Sequence, residues 1–168
     1  GYRLVIINCW ASHADSTDEY TAIPVEEQEV AGFFNKKDLN EVPKEAFMER
    51  IPELRKAFGD RAVLRSLHFY ADTERVPKQV EALKKGDVNT FLRLVNESGR
   101  SSWMYLQNIV PCGANKHQEM AIALALCDEL LAGRGAFRVH GGGFAGTCQA
   151  FVPDDMIDAA YSLGATKW

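Results

Sequence analysis

The chain has 168 residues, 46% of them hydrophobic and 25% charged, with a formal net charge of −4. That length suits one domain with its own core, and the composition excludes the disordered, collagenous and fibrous classes. With 19 Lys+Arg against 23 Asp+Glu, the chain lacks the basic stripe that displaces counterions from nucleic acid, so no nucleic-acid partner is expected.

No apolar run approaches the ~20 residues that span a bilayer, and no charged-then-apolar leader opens the chain, so no membrane partner is expected either. Cys9, Cys112, Cys127 and Cys148 lie far apart, without a CxxC pair or zinc-ligand spacing. They read as free thiols of a reducing, cytoplasmic setting, and no metal site is expected. The chain opens on Gly1 rather than Met and runs straight into an apolar segment, which suggests one domain, residues 1–168, cut from a longer protein.

Residues 3–10 form a β-branched and aliphatic run that fits a strand buried on both faces or at a sheet centre. A polar turn follows. A helix is then predicted with Pro24 in its first turn, the acids Glu26, Glu27 and Glu29 near its N-terminus, and Val30, Phe33 and Phe34 on its inner face. Short helices are predicted over 44–50 and 52–58. The spacing of Leu64, Leu67, Ala71, Val80 and Leu83 suits a long helix over 61–85, which should kink or break at Pro77.

Gly86-Asp87 reads as the end of that helix and the N-cap of the next, which shows Phe91, Leu94 and Val95 on one face. Residues 103–110 fit either a helix or an extended segment, and 115–132 reads as helical. Strands are predicted over 136–140 and 147–152, joined by a glycine loop over 141–146. A helix capped by Asp154 or Asp155 follows, and the last four residues start a further strand. Few strands, two of them joined by a short loop, point to an α+β fold: a small antiparallel sheet with helices packed on one face.

Gly141-Gly142-Gly143-Phe144-Ala145-Gly146 formally satisfies GxGxxG. The dinucleotide version must open a helix within a βαβ unit, whereas this loop is followed by an extended segment, so that reading is rejected. No Lys-Ser/Thr pair makes it a phosphate-binding Walker loop. Four glycines in six residues exceed what a turn needs, and removing side chains lets backbone amides approach an anion or a sugar. The loop is therefore read as ligand-facing. His13, His68, His117 and His140 form no HExxH pair, Ser98-Gly99-Arg100-Ser101 is no nucleophile elbow, and Asp15, Asp18 and Glu19 read as a solvated acidic loop rather than a cation site.

The segment from Arg138 through Gly146 resembles the C-terminal signature of galactokinases, members of the GHMP sugar and metabolite kinases, whose usual form is Arg-Met-Thr-Gly-Gly-Gly-Phe-Gly-Gly. The resemblance extends in order over residues 4–152. His13 and Ser16-Thr17-Asp18-Glu19-Tyr20 resemble the family's His…Ser-Glu-Tyr stretch, and Glu29-Val30-Ala31 its Glu-Val-Ala helix. Arg65, His68, Asp72 and Arg75 resemble its Arg-Ala-x-His…Glu-x-x-Arg helix, and Glu97-Ser98 its Glu-Ser pair.

The resemblance implies the ferredoxin-like C-terminal lobe of a kinase that makes galactose 1-phosphate from galactose and ATP. Tyr20, Gly141, Gly142, Gly143, Phe144 and Gly146 would then lie at the sugar, with galactose and the missing N-terminal lobe as partners. ATP and Mg²⁺ would serve the full enzyme and not be held by this piece, which carries neither the family's phosphate loop nor its catalytic acid and arginine and would be inactive alone. Ala145 stands for a glycine of the usual loop, Asp72 for a Glu, and Gly99 for a frequent His, which leaves open which sugar is used. A stand-alone sugar-binding or regulatory module, or a GHMP kinase for another sugar, are the alternatives.

Overall fold

The computed structural model describes residues 1–10 and 17–167. Three strands, β1 (Tyr2–Asn8), β2 (Ala136–His140) and β3 (Thr147–Pro153), form one antiparallel sheet in the order β1-β3-β2. The glycine loop joins β2 to β3 as a hairpin, with His140 opposite Thr147 and Ala136 opposite Phe151. β1 runs along the other side of β3, from Tyr2 opposite Pro153 to Asn8 opposite Thr147. The sequence reading placed this first strand at the sheet centre or buried on both faces. It is an edge strand, with Leu4 56% and Ile6 48% exposed. A continuous aliphatic run records that a strand forms, not which neighbours it acquires.

The described residues form six α-helices: α1 (Thr17–Phe33), α2 (Lys44–Glu49), α3 (Ile51–Lys84), α4 (Val88–Ser101), α5 (Glu119–Leu131) and α6 (Ile157–Lys167). α1 begins seven residues before Pro24, so the proline lies inside the helix rather than in its first turn. It has no N–H to offer the carbonyl one turn back, that of Tyr20. α3 runs through Pro77 without the predicted break. Its backbone leaves helical geometry at Gly59, between the helices predicted over 52–58 and 61–85, where φ 84° and ψ 172° are open to glycine at little cost. Gly86 ends α3 at φ 69°, and the Asp87 carboxylate accepts the Thr90 N–H at 3.0 Å as N-cap of α4, as read from the sequence. Residues 102–106 continue α4 as one wide π-type turn, and Gln107 closes it in the left-handed region at φ 57°. The last helix begins after a short 3-10 turn over Asp154–Met156, and residues 165–167 belong to it rather than to a strand.

The expectation that helices pack on one face needs correction. Residues opposite each other in a ladder share a face, and successive residues alternate. Val5, Ile7, Val139, Cys148, Ala150 and Val152 therefore share one face, where they meet Met120, Leu124 and Leu131 of α5 and Ile157 of α6. Leu92 and Val95 of α4 pack on Ala136 and Phe151, which belong to the opposite face; Phe91 meets the Phe151 ring edge-on at 5.1 Å. α4 also reaches the start of β2's outer edge. The Asn96 side chain accepts the Phe137 N–H at 3.0 Å and donates to the Gly135 carbonyl at 3.1 Å. A second core lies away from the sheet, where Val30 and Ala31 of α1, Phe47 of α2 and Leu54, Val63 and Tyr70 of α3 are buried together.

Candidate functional site

The glycine loop at the end of the β2–β3 hairpin is built from left-handed residues. Gly141, Gly143 and Gly146 have φ of 74°, 85° and 85°, and Phe144 joins them at 61°. Two of its amides already have partners. The Phe144 N–H donates to the Asn108 carbonyl at 2.6 Å and the Ala145 N–H to that of Gly143 at 2.7 Å. Among the described residues, the N–H groups of Gly141, Gly142 and Gly143 have no hydrogen-bond partner. Three successive donors, one of them on the buried Gly143, are thus left free, and backbone N–H groups of this kind are able to meet an anion or a hydroxyl.

The structure brings Tyr20 onto this loop. Its ring, 54% exposed, lies against Gly142 so closely that a Cβ on that glycine would overlap it. Of the residues singled out from the sequence, Tyr20, Gly141, Gly142 and Gly143 thus converge. Phe144 and Gly146 do so through their backbones: the Phe144 side chain is buried, and the Gly146 carbonyl accepts the Cys9 N–H at 2.8 Å. His13, Asp15 and Ser16 lie outside the described residues. Asp18 and Glu19 sit in the first turn of α1, and among the described residues no three His, Cys, Asp or Glu side chains converge as metal ligands.

Sequence reasoning missed what lies beneath the loop. Asn108, 1% exposed, donates from Nδ2 to the Gly142 carbonyl at 3.1 Å, and a Cβ on Gly143 would collide with its backbone and its amide. Arg65, fully buried, donates from Nε to the Leu106 carbonyl at 3.1 Å and from Nη1 to Glu26 at 2.9 Å. Glu26 also receives Arg61 at 2.5 Å. α1 therefore carries both the ring that covers the loop and the carboxylate that neutralises the buried arginine below it. Arg65 was visible as a motif residue, but nothing in the sequence marks Asn108, which falls in the segment whose periodicity is ambiguous.

The remaining motif residues form a joint between α3, α4 and β2. His68 Nδ1 lies 2.8 Å from Ser101 Oγ and its Nε2 3.2 Å from Asp72. Asp72 also accepts Ser98 at 2.8 Å and pairs with Arg75, while Arg138 donates to Ser98 at 2.5 Å. Serine, histidine and aspartate follow in the order of a nucleophilic triad, but Ser101 is 4% and His68 7% exposed, so no substrate reaches them and the cluster fastens elements together. Burial works against the charge on Asp72, yet hydrogen bonds from His68 and Ser98 and the charge of Arg138 outweigh it and hold its pKa near about 2. Burial pushes Glu27 the other way, up to about 7. Cys9, Cys127 and Cys148 are buried free thiols. Hydrogen bonding to Cys127 and burial raise Cys148 to about 12, whereas Cys112 is exposed.

On this small α+β domain, unpaired glycine amides therefore stand beside an exposed tyrosine. Comparison with known proteins shows what the chain is similar to. No family model matches the chain. It is 31% identical over 168 residues to the galactokinase of Glaesserella parasuis serovar 5, covering all of this chain and 42% of that protein. It is 32% identical over 158 residues to the galactokinase of Actinobacillus pleuropneumoniae, covering 94% and 39%. It is 30% identical over 165 residues to that of Haemophilus influenzae strain PittGG, covering 98% and 41%. The structure of Lactococcus lactis galactokinase complexed with galactose shares the fold, with a TM-score of 0.73 at 21% identity over 97% of this chain and 40% of that one. The chain is homologous to galactokinases over its whole length, and it spans about 40% of theirs.

Proposed function

We propose that this chain is the sugar-binding lobe of a galactokinase-type enzyme that transfers the terminal phosphoryl group of ATP to galactose, giving galactose 1-phosphate and ADP. It works together with an N-terminal nucleotide-binding lobe, in the cytoplasm. The observation that carries this reading is the row of free N–H groups on Gly141, Gly142 and Gly143 beside Tyr20. Phosphoryl transfer needs little covalent help from the protein. It needs the acceptor hydroxyl and the moving group held in line and the developing charge met by fixed donors, which backbone amides supply without reorganising. In this reading Tyr20 packs against the sugar, the glycine amides meet oxygens at its reacting end, and Phe144 and Gly146 shape the loop through their backbones.

ATP and Mg²⁺ belong to the reaction of the full enzyme, where the metal offsets phosphate charge. No step assigned to this chain runs through the metal. The fold is taken as the ferredoxin-like C-terminal lobe of the GHMP kinases, one domain over residues 1–168. The test is ATP-dependent phosphorylation by the full-length protein against a panel of sugars. Galactose is the expected substrate, and residues 1–168 alone are expected to show no turnover. Turnover by residues 1–168 alone, or a strong preference for another sugar, overturns the assignment.

A further inference from the structure

We infer that Asn108 is a positioning residue of the glycine loop, fixing the peptide between Gly142 and Gly143 so that the Gly143 N–H faces the reacting group; this rests on the kinase reading above. Asn108 grips the loop on both sides of Gly143. Its Nδ2 donates to the Gly142 carbonyl at 3.1 Å, and its own carbonyl accepts the Phe144 N–H at 2.6 Å. In a trans peptide the carbonyl and the following N–H point in opposite directions. Drawing the Gly142 oxygen toward Asn108 therefore turns the Gly143 N–H away from it, and that N–H has no partner among the described residues. The amide's orientation is set by this bond, because a carbonyl accepts only from the nitrogen end.

The energetics of Asn108 separate this role from simple packing. The residue is 1% exposed and its Oδ1 is buried without a hydrogen-bond partner. An acceptor left unsatisfied in the interior costs desolvation free energy that an apolar side chain of similar volume would avoid. The donated bond to Gly142 is the return the fold receives for that cost. Buried polar groups that stability alone does not explain concentrate where geometry must be held for function. The support is itself anchored, since the Gln107 N–H donates to the Ser102 carbonyl at 2.8 Å and buried Arg65 holds the Leu106 carbonyl at 3.1 Å.

The experiment compares full-length wild type with Asn108→Ala and Asn108→Asp, reading kcat and the galactose KM well below each variant's Tm, and hydrogen exchange at the Phe144 amide. The expected result is a kcat loss of about tenfold or more with a KM change within about threefold, together with faster exchange at Phe144. A folded variant with wild-type kcat, or one that loses only Tm, overturns the inference. If Asn108→Asp does not fold, Asn108→Ala, which also removes the unsatisfied Oδ1, carries both readouts. A wild type that phosphorylates no sugar refutes the kinase reading instead. The support is then decided by exchange alone: faster exchange at Phe144 in Asn108→Ala sustains it, and unchanged exchange overturns it.

Discussion

Two neighbouring glycines of the loop do different work. A Cβ on Gly142 meets the ring of Tyr20, a half-exposed side chain that can swing aside, whereas one on Gly143 meets Asn108 backbone at a residue whose φ is 85°. Gly142→Ala is expected to cost under about 1 kcal/mol of stability while lowering kcat/KM at least tenfold, roughly 1.4 kcal/mol in the transition state. Gly143→Ala should cost about 2 kcal/mol or more of stability through strain and overlap. Urea unfolding beside steady-state kinetics separates the two. Asp72 gives a pH prediction. Its pKa falls from 3.8 to about 2 on folding, so its contribution is complete above about pH 4 and is lost as pH drops through 2. Allowing for its partial exposure, that loss is about 1–2 kcal/mol. Asp72→Asn should flatten the acid limb of a stability–pH curve, and an unchanged limb would show that the cluster does not hold this carboxylate charged.

Helix α3 shows where sequence and structure part company at the scale of an element. Its existence and its end at Gly86 were legible, because glycine and an aspartate cap act locally. Helical spacing did not say which face packs: Val80 and Leu83 are 45% and 55% exposed, while Ala82 is buried at 4%. The interruption at Gly59 falls where the sequence reading separated a helix over 52–58 from one over 61–85, whereas the further kink or break expected at Pro77 is absent, since a proline can be accommodated within a helix while an extended ψ there is most readily met by glycine. Pro77 still deprives the carbonyl of Thr73 of a helical donor. Pro77→Ala is therefore expected to stabilise the protein by about 1–2 kcal/mol, less than the full ~3 kcal/mol cost of an interior proline because alanine frees the unfolded chain. A fall in Tm on thermal unfolding would mean that a bend at Pro77 is needed for packing. The glycine hairpin, by contrast, was read correctly in both strands and in pairing. Its support, Asn108, was invisible because it reaches the loop only through tertiary contact.

The molecule as a whole has two principal cores, one between the sheet and helices α5 and α6, the other among α1, α2 and α3. They are separate clusters, so Phe47→Ala in the helical core and Leu124→Ala under the sheet should each cost about 3–5 and 2–5 kcal/mol, and their effects should add within about 0.5 kcal/mol. Marked non-additivity in chemical denaturation would reveal one continuous core. The candidate site belongs to neither core alone. Tyr20 comes from α1 and the glycines from the β2–β3 hairpin, and the long route between them in the chain is why their meeting could be named only through a family likeness. The Asn96 side chain takes up the Phe137 N–H of β2 and the carbonyl of Gly135, the residue before that strand, and so occupies the start of its outer edge. β1 forms the sheet's other border, so a strand that widened the sheet on that side would register against Tyr2–Asn8.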